Sequence, residues 1–195
     1  MRLYVLQVDQ SLGRQEQRIW RDAFLLLVCQ AYFPKQQISL SDFKIDVLGK
    51  PYLVPLPFAF SISKIPGLIA ILAAEDIEAL GVDIVADQQH LLLPDLDIYT
   101  DAERQQLSQQ PEWYPYIYAR KEAVLKAVGC GFRYEPKCVD VQQDSIDFQG
   151  KSYRVHSFRT DLLQATIAIC VASAKRMPIW DMHLYTIEHG KIVGT

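Results

Sequence analysis

The chain has no long uninterrupted apolar run. Its most apolar region, Phe58 to Ala74, is broken by Ser61, Ser63, Lys64, Pro66 and Gly67. It therefore lacks the roughly 20 consecutive apolar residues of a membrane-spanning helix. Cysteine is sparse and unpatterned: Cys29, Cys130, Cys138 and Cys170 form no Cys-x-x-Cys element. That excludes a disulfide framework and a thiolate zinc site, and the expectation is reduced, mostly buried thiols in a cytoplasmic protein. His90, His156, His183 and His189 stand alone, without the spacing of metal ligands. There is no Gly-x-x-x-x-Gly-Lys-Ser/Thr loop, no dinucleotide fingerprint and no Gly-x-Ser-x-Gly elbow. An excess of either charge is missing too. The net charge is −3, so no basic field argues for nucleic acid, and any phosphate binding must be local.

What is present is the balance of a globular chain with a real core: 195 residues, half of them apolar and 22% charged. Residues 2–9 are β-prone and meet acid at Asp9, so they read as a strand and not as a signal core. The periodicity predicts a helix over about 14–33, with an apolar face that includes Ile19, Ala23, Leu26, Leu27 and Ala31. Strands are expected at Ser41 to Leu48, Phe58 to Ser63, Gly67 to Ala74 and Gly81 to Val85. In the second half Thr100 opens one helix and Trp113 to Val128 forms another. Strands follow near 138–142, 145–149, 152–159, 163–172 and 180–187. The two halves share a layout. The expected fold is α+β with two pseudo-symmetric halves, 1–93 and 94–195, each a small, mostly antiparallel sheet packed with helices.

The densest chemical signal is Tyr118 to Gly131. Glu122 and Lys126 are one helical turn apart and share a face, and Gly129 and Gly131 stop the helix. An acid and a base presented beside a glycine loop suit a metal and a phosphate together. The plain alternative is a surface ion pair worth about 0.2–0.5 kcal/mol. A second signal is Asp83, set between aliphatic residues in Gly81-Val82-Asp83-Ile84. An acid in an apolar strand needs a partner. A metal shared by Asp83 and Glu122 would satisfy both, and two carboxylates with waters and phosphate oxygens suit Mg²⁺.

Gly49-Lys50-Pro51-Tyr52, Phe60-Ser61-Ile62-Ser63, Gly81-Val82-Asp83-Ile84 and Lys121-Glu122-Ala123 with Lys126 and Gly129-x-Gly131 occur in this order over residues 49–131. The chain resembles the 4′-phosphopantetheinyl transferases in these motifs, and more closely the monomeric surfactin-synthetase-activating type than the smaller, trimeric holo-acyl-carrier-protein synthase type. The resemblance implies an active site in the cleft between the halves. It implies transfer of the phosphopantetheine arm of coenzyme A to a serine of an apo acyl or peptidyl carrier protein, with Mg²⁺, releasing adenosine 3′,5′-bisphosphate. By the same resemblance Asp83 and Glu122 are metal ligands, Lys126 reaches the diphosphate, and Lys121 lies near the reacting phosphate. Ser63 bonds a phosphate, and Gly49, Lys50 and Pro51 pack on the adenine. Glu103 corresponds to a glutamate assigned as ligand or base. Thr100-Asp101-Ala102-Glu103 equally fits a capping box.

Three positions depart from the family pattern. Val85 stands where a further glutamate is common, Lys64 replaces a histidine beside the phosphate-binding serine, and Tyr118 replaces a tryptophan. Lysine still holds a phosphate as a point charge. Val85 removes a possible third ligand, so altered metal dependence is expected. The alternative is a non-catalytic or weakly active relative that binds coenzyme A or a carrier protein. Fatty-acid, polyketide and nonribosomal-peptide carriers all remain open as partners. Neither nucleic acid nor membrane is expected as a partner.

Overall fold

The computed structural model describes residues 1–87, 96–129, 134–173 and 177–195. The chain is an α+β protein of eleven described strands, β1 to β11, and three described α-helices, α1 to α3. It divides into two compact units, Met1–Asp76 with Ile179–Thr195, and Ile77–Pro178. The expected boundary at 93/94 lies outside the described residues. Among the described residues, no helix is long and apolar enough to cross a membrane.

In the first unit β1 (Arg2–Gln7), β4 (Phe58–Ile65), β5 (Leu68–Glu75), β10 (Asp181–Glu188) and β11 (Lys191–Gly194) form one sheet in the order β11-β10-β1-β5-β4. The strand expected near 180–187 is β10. It pairs in parallel with β1, from Arg2 with Asp181 to Leu6 with Tyr185, which is why the C-terminal segment belongs to this unit. Helix α1 (Arg14–Tyr32) starts where the Glu16 carboxylate accepts the Gly13 N–H at 3.0 Å. Its buried stripe is Phe24, Leu25, Val28 and Cys29. The face expected from periodicity is only partly used: Ile19 is 60% exposed, Ala23 and Ala31 are exposed, and Leu26 and Leu27 are half-buried. The run Phe24 to Cys29 is apolar around the whole helix circumference, so packing against the sheet chose the face that buries the Phe24 ring.

The strand expected over Ser41 to Leu48 is shorter. A 3₁₀ turn at Leu40–Asp42 precedes β2 (Phe43–Ile45), which pairs with β3 (Pro51–Leu53). Asp46 breaks the strand because its Oδ1 accepts the backbone N–H groups of Leu48 and Lys50, each at 2.8 Å.

The second unit repeats the plan of the first: strand, helix, then a hairpin whose later strand pairs antiparallel with the opening one. Strands β6 (Leu80–Ala86), β7 (Ser145–Phe148), β8 (Lys151–Thr160) and β9 (Ala165–Ala172) form a sheet in the order β6-β9-β8-β7. The corresponding order in the first unit is β1-β5-β4. Helix α2 (Asp101–Gln109) opens on a capping box: Thr100 Oγ1 accepts the Glu103 N–H, and Glu103 Oε2 accepts the Thr100 N–H at 2.8 Å. Helix α3 (Tyr114–Val128) lies across β6, β8 and β9, with Ala119, Ala123, Val124 and Ala127 fully or almost fully buried. It ends at Gly129, whose φ of 84° is the left-handed conformation that glycine adopts without strain. Cys130 and Gly131 lie outside the described residues.

The strand expected near 138–142 does not form. A 3₁₀ turn at Pro136–Cys138 leads into irregular chain. The carbonyls of Val139, Val141 and Gln143 accept from the Lys121 and Arg120 side chains instead of a neighbouring strand, at 2.6, 2.7 and 2.6 Å respectively.

Candidate functional site

Strand alternation on β6 sends Gly81, Asp83 and Val85 toward α3. Each meets the helix differently. Gly81 lies so close that an added Cβ would sit 2.0 Å from the Ala123 carbonyl oxygen and 2.6 Å from the Ala127 nitrogen. That near-contact of backbones brings the next inward residue within reach of the helix. Asp83 Oδ1 is 2.7 Å from Lys126 Nζ, and Nζ also donates to the Val82 carbonyl at 3.1 Å. The Asp83 side chain is 8% exposed and that of Lys126 28%, so this is a partly buried pair with one end open to water.

Glu122 stands one turn before Lys126. Burial, then the charge of Asp83, push its carboxyl up to about 7, and Lys126 pulls the other way. One ammonium thus faces two acids, and the pair is short of positive charge. Tyr118 adjoins the same acids. Burial first, then Glu122 and Asp83, push its phenol up to about 12, so it stays protonated. The sequence marks Tyr118 as an aromatic exchange and as part of an aromatic cluster with Trp113, Tyr114 and Tyr116, not as a neighbour of the acids. The signal that it faces the acids was its i, i+4 spacing to Glu122.

The raised carboxyl has a measurable consequence. Between the ordinary glutamate value of 4.5 and about 7 the folded chain binds a proton at Glu122 that the unfolded chain does not. In metal-free buffer the Glu122 contribution to stability is therefore full below pH 4.5 and falls as pH rises to about 7. Glu122→Gln is expected to flatten this part of a urea-unfolding profile. An unchanged slope would mean that Glu122 titrates normally.

Lys121 and Glu103 do not join this group. They form an ion pair at 2.8 Å with side chains 2% and 0% exposed. Lys121 Nζ also donates to the carbonyls of Pro136 at 3.0 Å and Val139 at 2.6 Å. An ammonium has three donors, and all three are engaged. Glu103 accepts from Thr100 N–H, Lys121 and the Val141 N–H, the last at 2.9 Å. In this arrangement Lys121 and Glu103 hold each other, and the phosphate contact expected of Lys121 and the ligand or base role expected of Glu103 stay expectations. Both residues tie together the chain before and after them: the three Lys121 donors are engaged, and the Glu103 carboxylate, with about four acceptor sites, accepts three bonds. The capping box expected at Glu103 is present.

Val85 is 1% exposed and packs with Tyr99, Ile117 and Val124. Among the described residues no third carboxylate replaces it. Asp87 is drawn to Arg159, with Oδ2 3.0 Å from Nε. Among the described residues no group of three or more His, Cys, Asp or Glu side chains is placed to hold a metal. Asp83 and Glu122 form a pair of hard oxygen donors, a set that fits a hydrated Mg²⁺ better than a softer metal.

The remaining candidates belong to the first unit. Gly49 has φ of 93° in the turn built by Asp46, which by itself accounts for glycine there. Lys50 donates its N–H to Asp46, and Pro51 begins β3. Ser63 is 6% exposed on β4, whereas Lys64, its neighbour on the opposite face, is exposed.

Residues 79–173 match the model of the 4′-phosphopantetheinyl transferase superfamily. The match covers just under half of the chain and holds Asp83, Glu122 and Lys126. It supports phosphopantetheine transfer as the general activity. No curated protein matches the chain.

Proposed function

We propose that this chain moves the 4′-phosphopantetheine arm of coenzyme A onto a serine of an apo acyl or peptidyl carrier protein, as a transferase of the surfactin-synthetase-activating type. The observation that carries this reading is the meeting of Asp83, Glu122 and Lys126 between β6 and α3 inside the matched segment.

The chemistry asks for that set. The seryl oxygen bonds to the β-phosphorus of the diphosphate as its hydroxyl proton passes to a carboxylate or water acting as base, and the phosphorus–oxygen bond to adenosine 3′,5′-bisphosphate breaks, the electron pair leaving with the bisphosphate. The diphosphate repels an incoming nucleophile unless its charge is neutralised. Asp83 and Glu122 would hold Mg²⁺, which supplies neutralisation when bound. Lys126 supplies a further positive charge from the last turn of α3, where a cation is favoured. In the first unit Gly49, Lys50 and Pro51 are assigned to the adenine, and Ser63 and Lys64 to phosphate.

The test is mass spectrometry of an apo carrier protein incubated with the chain, coenzyme A and Mg²⁺. The carrier is expected to gain the mass of the phosphopantetheine group. Glu122→Ala is expected to slow the gain at least about 10²-fold, the scale of removing a group that stabilises transition-state charge. No gain across fatty-acid, polyketide and nonribosomal-peptide carriers would end the transferase reading. Coenzyme A binding by calorimetry without any gain would assign the chain as a non-catalytic binder. Val85, packed in the core where a third acid is common, is the feature that favours that second reading.

A further inference from the structure

The Asp83–Glu122–Lys126 group is already a salt site without any added ion. Lys126 Nζ is 2.7 Å from Asp83 Oδ1, a normal charge-assisted distance, and is steadied by the Val82 carbonyl at 3.1 Å. Those two contacts orient the ammonium inward, over β6. The same ammonium is the group assigned to the diphosphate. It cannot do both at full strength, because a lysine presents one compact charge on a flexible stem.

We propose that Lys126 is a movable counter-ion: it holds the place of the divalent cation at Asp83 in the free chain, and the cation releases it toward the diphosphate. This inference rests on the transferase reading and deepens it. Two positive groups at one carboxylate repel, so an arriving divalent ion weakens the Lys126–Asp83 bond. Already in the paired position the Lys126 side chain is 28% exposed, so its long stem has an open side to move toward. The reciprocal also holds. A diphosphate that draws Lys126 away uncovers Asp83 and strengthens cation binding by the same factor. Cation and diphosphate then bind with positive coupling through one lysine. Neither the resemblance nor the family match assigns Lys126 this role of internal competitor.

Two measurements without turnover test it. The first is the affinity for Mn²⁺ alone, read by electron paramagnetic resonance, in the wild-type chain and in Lys126→Met. Methionine keeps much of the stem's bulk and removes the competitor. Mn²⁺ is expected to bind Lys126→Met at least about tenfold more tightly. The second uses the wild-type chain, so it does not depend on the folding of a variant. Amines are labelled with an N-hydroxysuccinimide ester, and the peptide carrying Lys126 is quantified by mass spectrometry. Mg²⁺ alone is expected to raise Lys126 labelling about threefold while the exposed Lys35 stays constant. Coenzyme A added with Mg²⁺ is expected to suppress it again.

Lys126 labelling that Mg²⁺ leaves unchanged or lowers overturns the proposal, as does equal or weaker Mn²⁺ binding in Lys126→Met. Failure of the transferase reading looks different. A carrier that gains no mass while Mn²⁺ binding and Lys126 labelling respond as described would remove the transfer and leave the counter-ion in place. A carrier that gains mass although Mn²⁺ binds neither protein would keep the transfer and remove the counter-ion.

Discussion

Lys121→Met is expected to destabilise the second unit by about 3–5 kcal/mol, the cost of breaking a buried ion pair by removing one partner. Burial holds the Lys121 ammonium below its ordinary range, and Glu103 opposes that shift. Removing the ammonium leaves the Glu103 carboxylate, 0% exposed, with the amides of Thr100 and Val141 as its remaining partners among the described residues. It also strands the Pro136 and Val139 carbonyls. Urea unfolding measures the loss. A second change, Glu103→Gln, is expected to restore part of the stability in the double variant, because it removes the uncompensated charge. Transfer per folded molecule is expected to stay near the wild-type rate. A Lys121→Met chain of full stability with abolished transfer would return Lys121 to the reacting phosphate.

Gly81→Ala is the other change with a large expected effect. The added methyl group would meet the Ala123 oxygen and the Ala127 nitrogen at distances that no real contact shows, 2.0 and 2.6 Å. Both atoms are helix backbone and cannot rotate aside. Either α3 moves off β6 or β6 bends. Overpacking of this kind costs about 1–3 kcal/mol, occasionally more, and rigid backbone on both sides points to the upper end. The functional loss is expected to exceed the loss of folded protein. Either movement shifts Glu122 and Lys126 on the helix relative to Asp83 on the strand. Thermal unfolding together with the carrier mass assay separates the two effects. Unaltered stability would show that the approach is looser than described.

The parts of the fold that depend on neighbours in sequence were legible. The capping box at Thr100, the glycine stop at Gly129 and the hairpin strands β4–β5 and β8–β9 follow from local pattern, because their bonding partners are a few residues away. The structure departs from local pattern where a distant partner decides. Residues 138–142 alternate Val139 and Val141 as a strand does, but the side chains of Arg120 and Lys121 take their carbonyls. Helix α1 carries apolar residues on two adjoining stripes, and only the sheet beneath it selects Phe24 and Val28 over Ile19 and Ala23. The parallel pairing of β1 with β10 joins the two ends of the chain and leaves no mark in either segment.

The candidate site divides the same way. Glu122 and Lys126 were recognisable as a pair because helix geometry alone puts residues four apart on one face. That one position earlier, Lys121, points into the core toward Glu103 was invisible. A step of one residue turns a helical side chain by about 100°, and whether that direction meets water or protein depends on what packs there. The residue types, their order and the turn-by-turn spacing were thus set by the sequence through short-range sterics and hydrogen bonding. Which acid met which base was decided only by the close seating of α3 on β6, since electrostatic partners are chosen by distance in space and not along the chain.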